Sequence, residues 1–205
     1  MITMPARMKR RVRARGRGFV FTPADFFDLG GRATIDQALS RLVRKGAIRR
    51  LGRGLYDYPR INPRLGPVSP TPDAVAHAIA RKTRSAVQIG GAQAANALGL
   101  STQVPAHAVY LTDGPSRRVT IGRSVVTLRR ASPKHLLAAG STAGTVVQAL
   151  RYLGKDAAPT VADMVAHQLS AADQQRLMRD AVLAPGWMRP VLNRIARAAA
   201  TAPAA

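Results

Sequence analysis

The chain contains no cysteine, and its ten acidic residues are all aspartate. Without cysteine it can form no disulfide, no thiolate metal site and no cysteine nucleophile, which fits a reducing cytoplasm. Long hydrophobic runs are also missing. No stretch approaches the roughly 20 apolar residues of a membrane span, and the basic N-terminus lacks the apolar segment of a signal peptide. We therefore expect a cytoplasmic protein that has no membrane partner.

Acidic and aromatic residues are both scarce. Ten aspartates stand against 32 lysines and arginines, which gives a formal net charge of +22, while 46% hydrophobic content excludes a wholly disordered chain. A positive charge of this size attracts nucleic acid without regard to its base sequence. Aromatic residues make up only 4% of the chain, whereas RNA-binding modules usually display aromatic stacking platforms. A basic RNA- or ribosome-associated protein is therefore the less favoured class.

The motifs of common enzymes are absent as well. Four histidines stand singly rather than in the HExxH spacing of metalloproteases; they are His77, His107, His135 and His167. The chain has no GxxxxGK[ST] phosphate loop and no GxSxG nucleophile elbow, and the aspartates after residue 60 are widely separated. We therefore expect no catalytic residue, no metal site and no cofactor, and interpret the chain as a binding protein rather than an enzyme.

The most informative segment runs from Thr22 to Tyr58, and its centre is a predicted helix. Thr34-Ile35-Asp36-Gln37 has the form of a capping box, so the helix should begin there. Apolar residues then recur with helical spacing up to Gly46, which predicts one buried stripe; they are Ile35, Ala38, Leu39, Leu42 and Val43. The opposite face is polar and basic, and such side chains can read base edges or contact phosphates in a major groove.

A short helix and a hairpin flank this predicted recognition helix. Thr22-Pro23 is a helix start signal, and Gly30-Gly31 turns the chain before the recognition helix. Residues 48–51 and 55–58 read as two strands around Gly52-Arg53-Gly54, a turn that can bring Arg53 close to DNA. This order of elements predicts a winged helix-turn-helix. The predicted DNA-binding residues are Thr34, Gln37, Ser40, Arg41, Arg44, Lys45, Arg49 and Arg53.

Five prolines between Pro59 and Pro72 predict an extended, helix-free connector. We therefore expect three parts: a winged helix-turn-helix domain over residues 1–60, a proline-rich linker over 61–72 and a C-terminal domain over 73–200. In the C-terminal domain, residues 108–112, 118–121 and 125–128 read as three strands of an antiparallel β-meander, and helices follow to the end. The predicted fold class is α+β.

The combination of these segments resembles a known family. "RGRGFVFTPADFFDLGGRATIDQALSRLVRKGAIRRLGRGLYDYP", followed beyond the prolines by "IGGAQAANALGL" and "HAVYLTDGPSRRVTIG", resembles the AbiEi-like antitoxins of type IV toxin-antitoxin systems, nearest to their short DUF6088-type members. The resemblance implies a winged-helix domain that represses its own operon, joined to a C-terminal antitoxin domain. It also implies a nucleotidyltransferase-like toxin encoded alongside, with which a type IV antitoxin need not form a stable complex.

The expected partners are accordingly double-stranded operator DNA and, as a functional partner, the nucleotidyltransferase-like toxin. The resemblance extends through "YLTDGPSRRV", so we expect an antitoxin surface near this segment and on the late helices; its candidate residues are Tyr110, Asp113, Arg117 and Arg118. A solitary winged-helix transcriptional regulator is the alternative function. The identity of the neighbouring gene would distinguish the antitoxin from the solitary regulator, because only the antitoxin needs a toxin encoded beside it.

Overall fold

The computed structural model describes residues 3–103 and 107–198. The protein is mixed α+β, as the sequence predicts. Contacts between residues divide it into two compact units. Unit 1 holds the described residues through Ser85 together with Arg118–Val126, and unit 2 holds the described residues of Ala86–Arg117 and those from Thr127 onward.

The part of unit 1 that ends at Ser85 combines three helices with two small sheets. Its elements are α1 (Met4–Ala14), β1 (Val20–Phe21), a 3-10 turn (Pro23–Phe26), α2 (Arg32–Arg44), β2 (Arg49–Gly52), β3 (Leu55–Asp57), β4 (Arg60–Asn62), β5 (Gly66–Val68) and α3 (Pro72–Thr83). Strands β1, β3 and β2 form an antiparallel sheet in that order. Strands β4 and β5 pair as a separate antiparallel hairpin.

The core of unit 1 includes four of the five residues in the stripe that the helical spacing predicts for α2, and the fifth, Val43, is only partly buried. Met8 and Val12 are the buried positions of α1, and the buried face of α2 consists of Ile35, Ala38, Leu39 and Leu42. Removing such side chains from water stabilises the fold by about 1.5–3 kcal/mol each for the larger ones. Because the stripe of α2 is buried on one side, the orientation of its opposite face is fixed.

Helix α2 begins earlier than the sequence pattern predicts. The predicted capping box at Thr34 is wrong, because the helix starts at Arg32 with Gly31 at the N-cap, and Thr34 is an exposed residue of the first turn. Gly31 has extended backbone angles after the glycine turn, and this sets the start. A capping box is found instead at Thr22, whose backbone N–H donates to the Asp25 carboxylate at 2.7 Å.

The proline-rich segment is more structured than a connector. It contains the β4–β5 hairpin, in which Arg60 pairs with Val68. Helix α3, which follows it, belongs to unit 1. Arg81 on this helix donates to Asp25 Oδ1 at 3.1 Å and to the Val20 carbonyl at 2.6 Å. The compact unit therefore extends to Ser85, whereas the prolines alone place the end of the first domain at residue 60.

The remaining elements are one further sheet and a set of helices. They are β6 (Val87–Ile89), α4 (Gly91–Ala97), β7 (Ala108–Thr112), β8 (Arg117–Ile121), β9 (Ser124–Arg130), α5 (Thr142–Ala157), α6 (Ala162–Ala166), α7 (Ala171–Asp180) and α8 (Arg189–Ala198). The core of unit 2 packs mainly helical side chains, among them Val146, Leu150, Leu177, Leu192 and Ile195.

The predicted β-meander is wrong in its strand order. In a meander, consecutive strands are neighbours, but the sheet has the order β6-β7-β9-β8, so that β9 follows β7. Residues 113–116 are not a tight turn between paired strands. The Asp113 carboxylate accepts a hydrogen bond from the Ala86 backbone N–H at 2.8 Å, and the Ser116 hydroxyl accepts one from Arg130 N–H at 3.0 Å.

Candidate nucleic-acid interface

The exposed face of α2 is polar and basic along its whole length. Its side chains repeat at intervals of three and four residues, so they lie next to one another over successive turns. The face consists of Thr34, Gln37, Ser40, Arg41, Arg44 and Lys45, none of which is buried. A helix is about 10–12 Å wide with its side chains, which matches the roughly 12 Å width of the DNA major groove.

The β2–β3 hairpin follows this helix and ends in a two-residue turn. Gly52 pairs with Leu55, which leaves Arg53 and Gly54 at the tip. Gly54 has φ of +68°, in the left-handed region that favours glycine. Arg53 is exposed there. The hairpin thus presents one arginine at its end, as the glycines in the sequence predict.

Arg49 has a different environment from the other predicted contact residues. Its guanidinium makes two hydrogen bonds to the Asp57 carboxylate, at 3.1 and 2.6 Å, and a third to the Val68 carbonyl at 2.8 Å. The Asp57 side chain is only 1% exposed. The hydrogen bonds to Asp57 raise the pKa of Arg49. Arg49 therefore ties β2 to β3 and β5, and we leave it out of the candidate interface.

Every aspartate between residues 3 and 85 contacts an arginine or a histidine. The pairs are Asp25–Arg81, Asp28–Arg11, Asp36–Arg32, Asp57–Arg49 and Asp73–His77. The candidate contact side chains differ. Within the described part of the chain, no ion pair involves Arg41, Arg44, Lys45 or Arg53. The positive charge of this region that is not paired with aspartate therefore lies on solvent-exposed side chains.

Helix α1 adds exposed arginines to the same unit, including Arg7, Arg10 and Arg13. Its Arg11 is used differently, because it forms a bidentate ion pair with Asp28, with both contacts at 2.6 Å. The hydrogen bonds from Arg11 lower the pKa of Asp28. This pair holds α1 against the segment that precedes α2.

A comparison with protein-family models identifies the family to which the chain belongs. The model of a family of unknown function, DUF6088, matches residues 7–177. The chain belongs to this family. Among solved structures, the DUF6088 chain is similar to the crystal structure of the RV2827C protein from Mycobacterium tuberculosis, with 18% sequence identity, a TM-score of 0.42, and coverage of 95% of this chain and 82% of that one. No curated protein matches the sequence.

The aromatic residues of this DUF6088 member are concentrated inside unit 1. Phe21 contacts Phe19, Phe26 and Tyr56, with ring centroids 5.5 to 6.0 Å apart. Phe21 and Phe26 are fully buried. Rings that are buried in a core cannot stack on nucleotide bases. Phe19, Tyr56 and Tyr58 are partly buried, and Phe27 is 52% exposed.

The four predicted antitoxin-surface residues have different environments. The prediction for Tyr110 is wrong, because the side chain is 2% exposed in β7, a strand with neighbours on both sides. Asp113 is exposed, but its carboxylate is bonded to the Ala86 backbone. Arg117 and Arg118 are exposed at the start of β8. Of the four, the two arginines are therefore the ones that fit an exposed polar surface.

The described residues contain neither a metal-binding cluster nor a membrane-spanning helix. Over residues 3–103 and 107–198, no group of three or more histidine and aspartate side chains comes close enough to hold a metal ion. No helix in those ranges combines the length and the apolar character needed to cross a membrane.

Proposed function

We propose that unit 1 is a winged helix-turn-helix domain that binds double-stranded operator DNA. The observation that carries this proposal is the set of cations on one face of α2 that have no ion-pair partner among the described residues, with Arg53 at the tip of the following hairpin. A helix face with such arginines is suited to bind in a major groove, since arginine pairs with guanine through two hydrogen bonds. The hairpin would act as the wing.

The residues divide by the contact that each would make. Arg41 and Arg44 are the candidates for base contacts, and Thr34, Gln37 and Ser40 are polar neighbours on the same face. Arg53 would contact the backbone or the minor groove beside it. The exposed arginines of α1 would bind phosphates, which adds affinity that depends on salt but carries no base preference.

An RNA-binding function is less well supported. Single-stranded RNA is usually recognised by aromatic rings that stack on unpaired bases. In unit 1, Phe21 and Phe26 lie in the core and Phe19 and Tyr56 pack against it. The basic face of α2 has no aromatic member. This arrangement favours a duplex read through its grooves.

We further propose that the whole protein is a cytoplasmic, non-enzymatic antitoxin of a type IV toxin-antitoxin system and represses its own operon. This step rests on the sequence resemblance to AbiEi-like antitoxins. In unit 2, three exposed apolar side chains fall within a six-residue stretch at the end of α7 and just after it, which supports a protein partner there, since exposed apolar surface often marks interaction sites. They are Met178, Val182 and Leu183, which are 54%, 65% and 62% exposed.

The DNA-binding proposal is tested by titrating the protein with its own promoter DNA and with random duplex of equal length. Arg41→Ala and Arg44→Ala should each cost about 1–3 kcal/mol on the promoter and much less on random DNA. The charge-matched control is Arg176→Ala, which removes one exposed arginine from unit 2. If Arg41→Ala and Arg44→Ala lose the same affinity on both DNAs, these arginines contact phosphates rather than bases. If the control variant loses as much promoter affinity as they do, a specific interface is refuted.

The antitoxin proposal is tested by growth rescue with the product of the neighbouring gene. The Val182→Asp/Leu183→Asp variant should fail to rescue growth but still bind the promoter. The Arg41→Ala/Arg44→Ala variant should lose promoter binding but still rescue growth. A neighbouring gene that encodes no nucleotidyltransferase-like protein, or one that is not toxic, would favour the solitary regulator.

A further inference from the structure

Unit 2 contains a pocket of about 440 Å³ whose walls come from the start of α4 and from β7, β9 and α5. This volume lies in the range of roughly 300–1,000 Å³ that is typical of small-molecule sites. Four of its lining side chains can carry positive charge; they are Arg129, Arg151, His107 and His135. Among the described residues, no acidic side chain lines it. The pocket is thus a cationic concavity without a counter-ion.

Arg151 is the side chain that most needs a partner. One of its terminal nitrogens donates to the Lys134 carbonyl at 2.8 Å, which fixes the guanidinium. Its Nε is buried and has no hydrogen-bond partner among the described residues. Burial lowers the pKa of Arg151. Arg151 also lines the pocket, so an anion bound there would supply the counter-charge that this partly buried guanidinium lacks among the described residues.

The neighbouring His135 is also held in place. Its Nδ1 lies 2.8 Å from the Ser132 hydroxyl, and its backbone carbonyl accepts a hydrogen bond from Gln148 at 2.6 Å. Burial, and then the positive charges of Arg151, Lys134 and Arg129, lower the pKa of His135. An anion in the pocket would offset the positive charge of these neighbours and so favour the protonated, donating form of His135.

The rest of the lining is apolar, aromatic or amide. The Tyr152 ring is about half exposed, and Val109 adds an aliphatic wall. Gln93 accepts a hydrogen bond from Val109 N–H at 2.9 Å through its carbonyl oxygen, which leaves its amide nitrogen as a donor. Gly91 permits the close approach of α4 to α5, since a Cβ there would lie 2.8 Å from Tyr152 Cβ. This wall suits a planar, partly polar ring.

We propose that this pocket binds a nucleotide. Arg129, Arg151 and His135 would bind the phosphate, because guanidinium groups match phosphate oxygens in geometry and charge. Tyr152 would stack on the base, and Gln93 would contact its edge or the ribose. The residues of this site are distinct from those of the proposed DNA-reading face of α2, so the two proposals stand independently.

The proposal is tested by calorimetric titration of the full-length protein with the four ribonucleoside 5′-monophosphates, with adenosine and with inorganic phosphate. At least one nucleotide should bind about tenfold more tightly than adenosine and than phosphate. The Arg129→Ala variant should lose at least about tenfold in that affinity, the loss expected for one hydrogen bond to a charged group. Arg130→Ala is the matched control, since Arg130 is exposed on the same strand and does not line the pocket.

Tyr152→Ala should weaken nucleotide binding several-fold and leave phosphate binding unchanged, while Tyr152→Phe should retain both. The Arg41→Ala/Arg44→Ala variant should bind nucleotide normally, which separates this site from the DNA-binding proposal. The proposal would be overturned if no nucleotide binds, if adenosine or phosphate binds as well as the nucleotide, or if Arg130→Ala is as damaging as Arg129→Ala. Because Arg129 and Tyr152 are not buried, their loss should not prevent folding.

Discussion

At the scale of single residues, some arginines of unit 1 form ion pairs within the fold and others are exposed and available to a partner. Composition alone cannot separate the two groups. Arg49 and Arg53 are four residues apart on the same hairpin. Arg49 is bonded to a buried carboxylate, and Arg53 is exposed without an ion-pair partner among the described residues. The difference lies in where each side chain points, because Arg49 faces Asp57 across the sheet.

Arg49→Ala should therefore lower the free energy of unfolding by about 3 kcal/mol, since it leaves the Asp57 carboxylate buried without its partner. Arg53→Ala should leave stability unchanged and weaken DNA binding. Urea denaturation and promoter titration of both variants measure the two effects. If Arg49→Ala keeps full stability but loses DNA affinity, Arg49 belongs to the interface, as its sequence position first suggests.

His77 supplies a pH dependence at the same scale. Its hydrogen bond to Asp73 raises the pKa of His77, so the folded state favours the protonated ring. The stabilisation from this pair is then complete below the unfolded-state value of about 6.5 and is lost as the pH rises through the folded value. An NMR titration should show a lower His77 pKa in Asp73→Asn. Identical titration curves for the two proteins would contradict the assignment.

At the scale of elements, the β2–β3 hairpin and the exposed face of α2 depend on short-range geometry. The hairpin turn places Gly54 at φ of +68°, whereas Gly52 has no such backbone angle, and a Cβ added at Gly52 would meet no atom within 4 Å. A side chain at Gly54 strains the backbone, and one at Gly52 does not.

Gly54→Ala should accordingly destabilise the protein by about 1 kcal/mol. Gly52→Ala is the matched control and should change stability little. Thermal unfolding of the two variants compares them directly. Equal midpoints would mean that the turn relaxes without cost, and the hairpin tip would then be less rigid than the proposed wing requires.

At the scale of the whole molecule, the position of α3 decides where the first unit ends. Arg81 joins this helix to Asp25 and to the Val20 carbonyl, and its guanidinium lies 5.1 Å from the centroid of the Phe19 ring. Contacts of this kind couple α3 to the unit that contains α2. A shorter fragment would leave Asp25 without its cationic partner.

A fragment that ends at Ser85 should therefore unfold cooperatively and bind DNA in a salt-sensitive manner, whereas a fragment that ends at Pro70 should be less stable. Circular dichroism melts and a promoter titration test both. Equal stability of the two fragments would show that α3 contributes nothing to the unit. Failure of the longer fragment to fold would indicate that Arg118–Val126, which also belongs to unit 1, is required.

The sequence predicted those features that a few neighbouring residues encode. The spacing from Ile35 to Leu42 indicated the buried face of α2, and paired glycines indicated the turn at Arg53. The prediction failed at the start of α2, because both Gly31 and Thr34 are acceptable N-caps and only the preceding turn decides between them. It also failed for Tyr110, since the burial of a strand residue depends on which strands lie beside it.

By itself, the sequence determined the net positive charge, the absence of cysteine chemistry, the α+β composition and the amphipathic helices, because each is a property of composition or of short-range periodicity. Only the tertiary structure decided which arginines are engaged by aspartates, the order of the strands, and the pocket around Arg151. These depend on residues far apart in the chain, such as Asp25 and Arg81, and no local pattern specifies which distant side chains will meet.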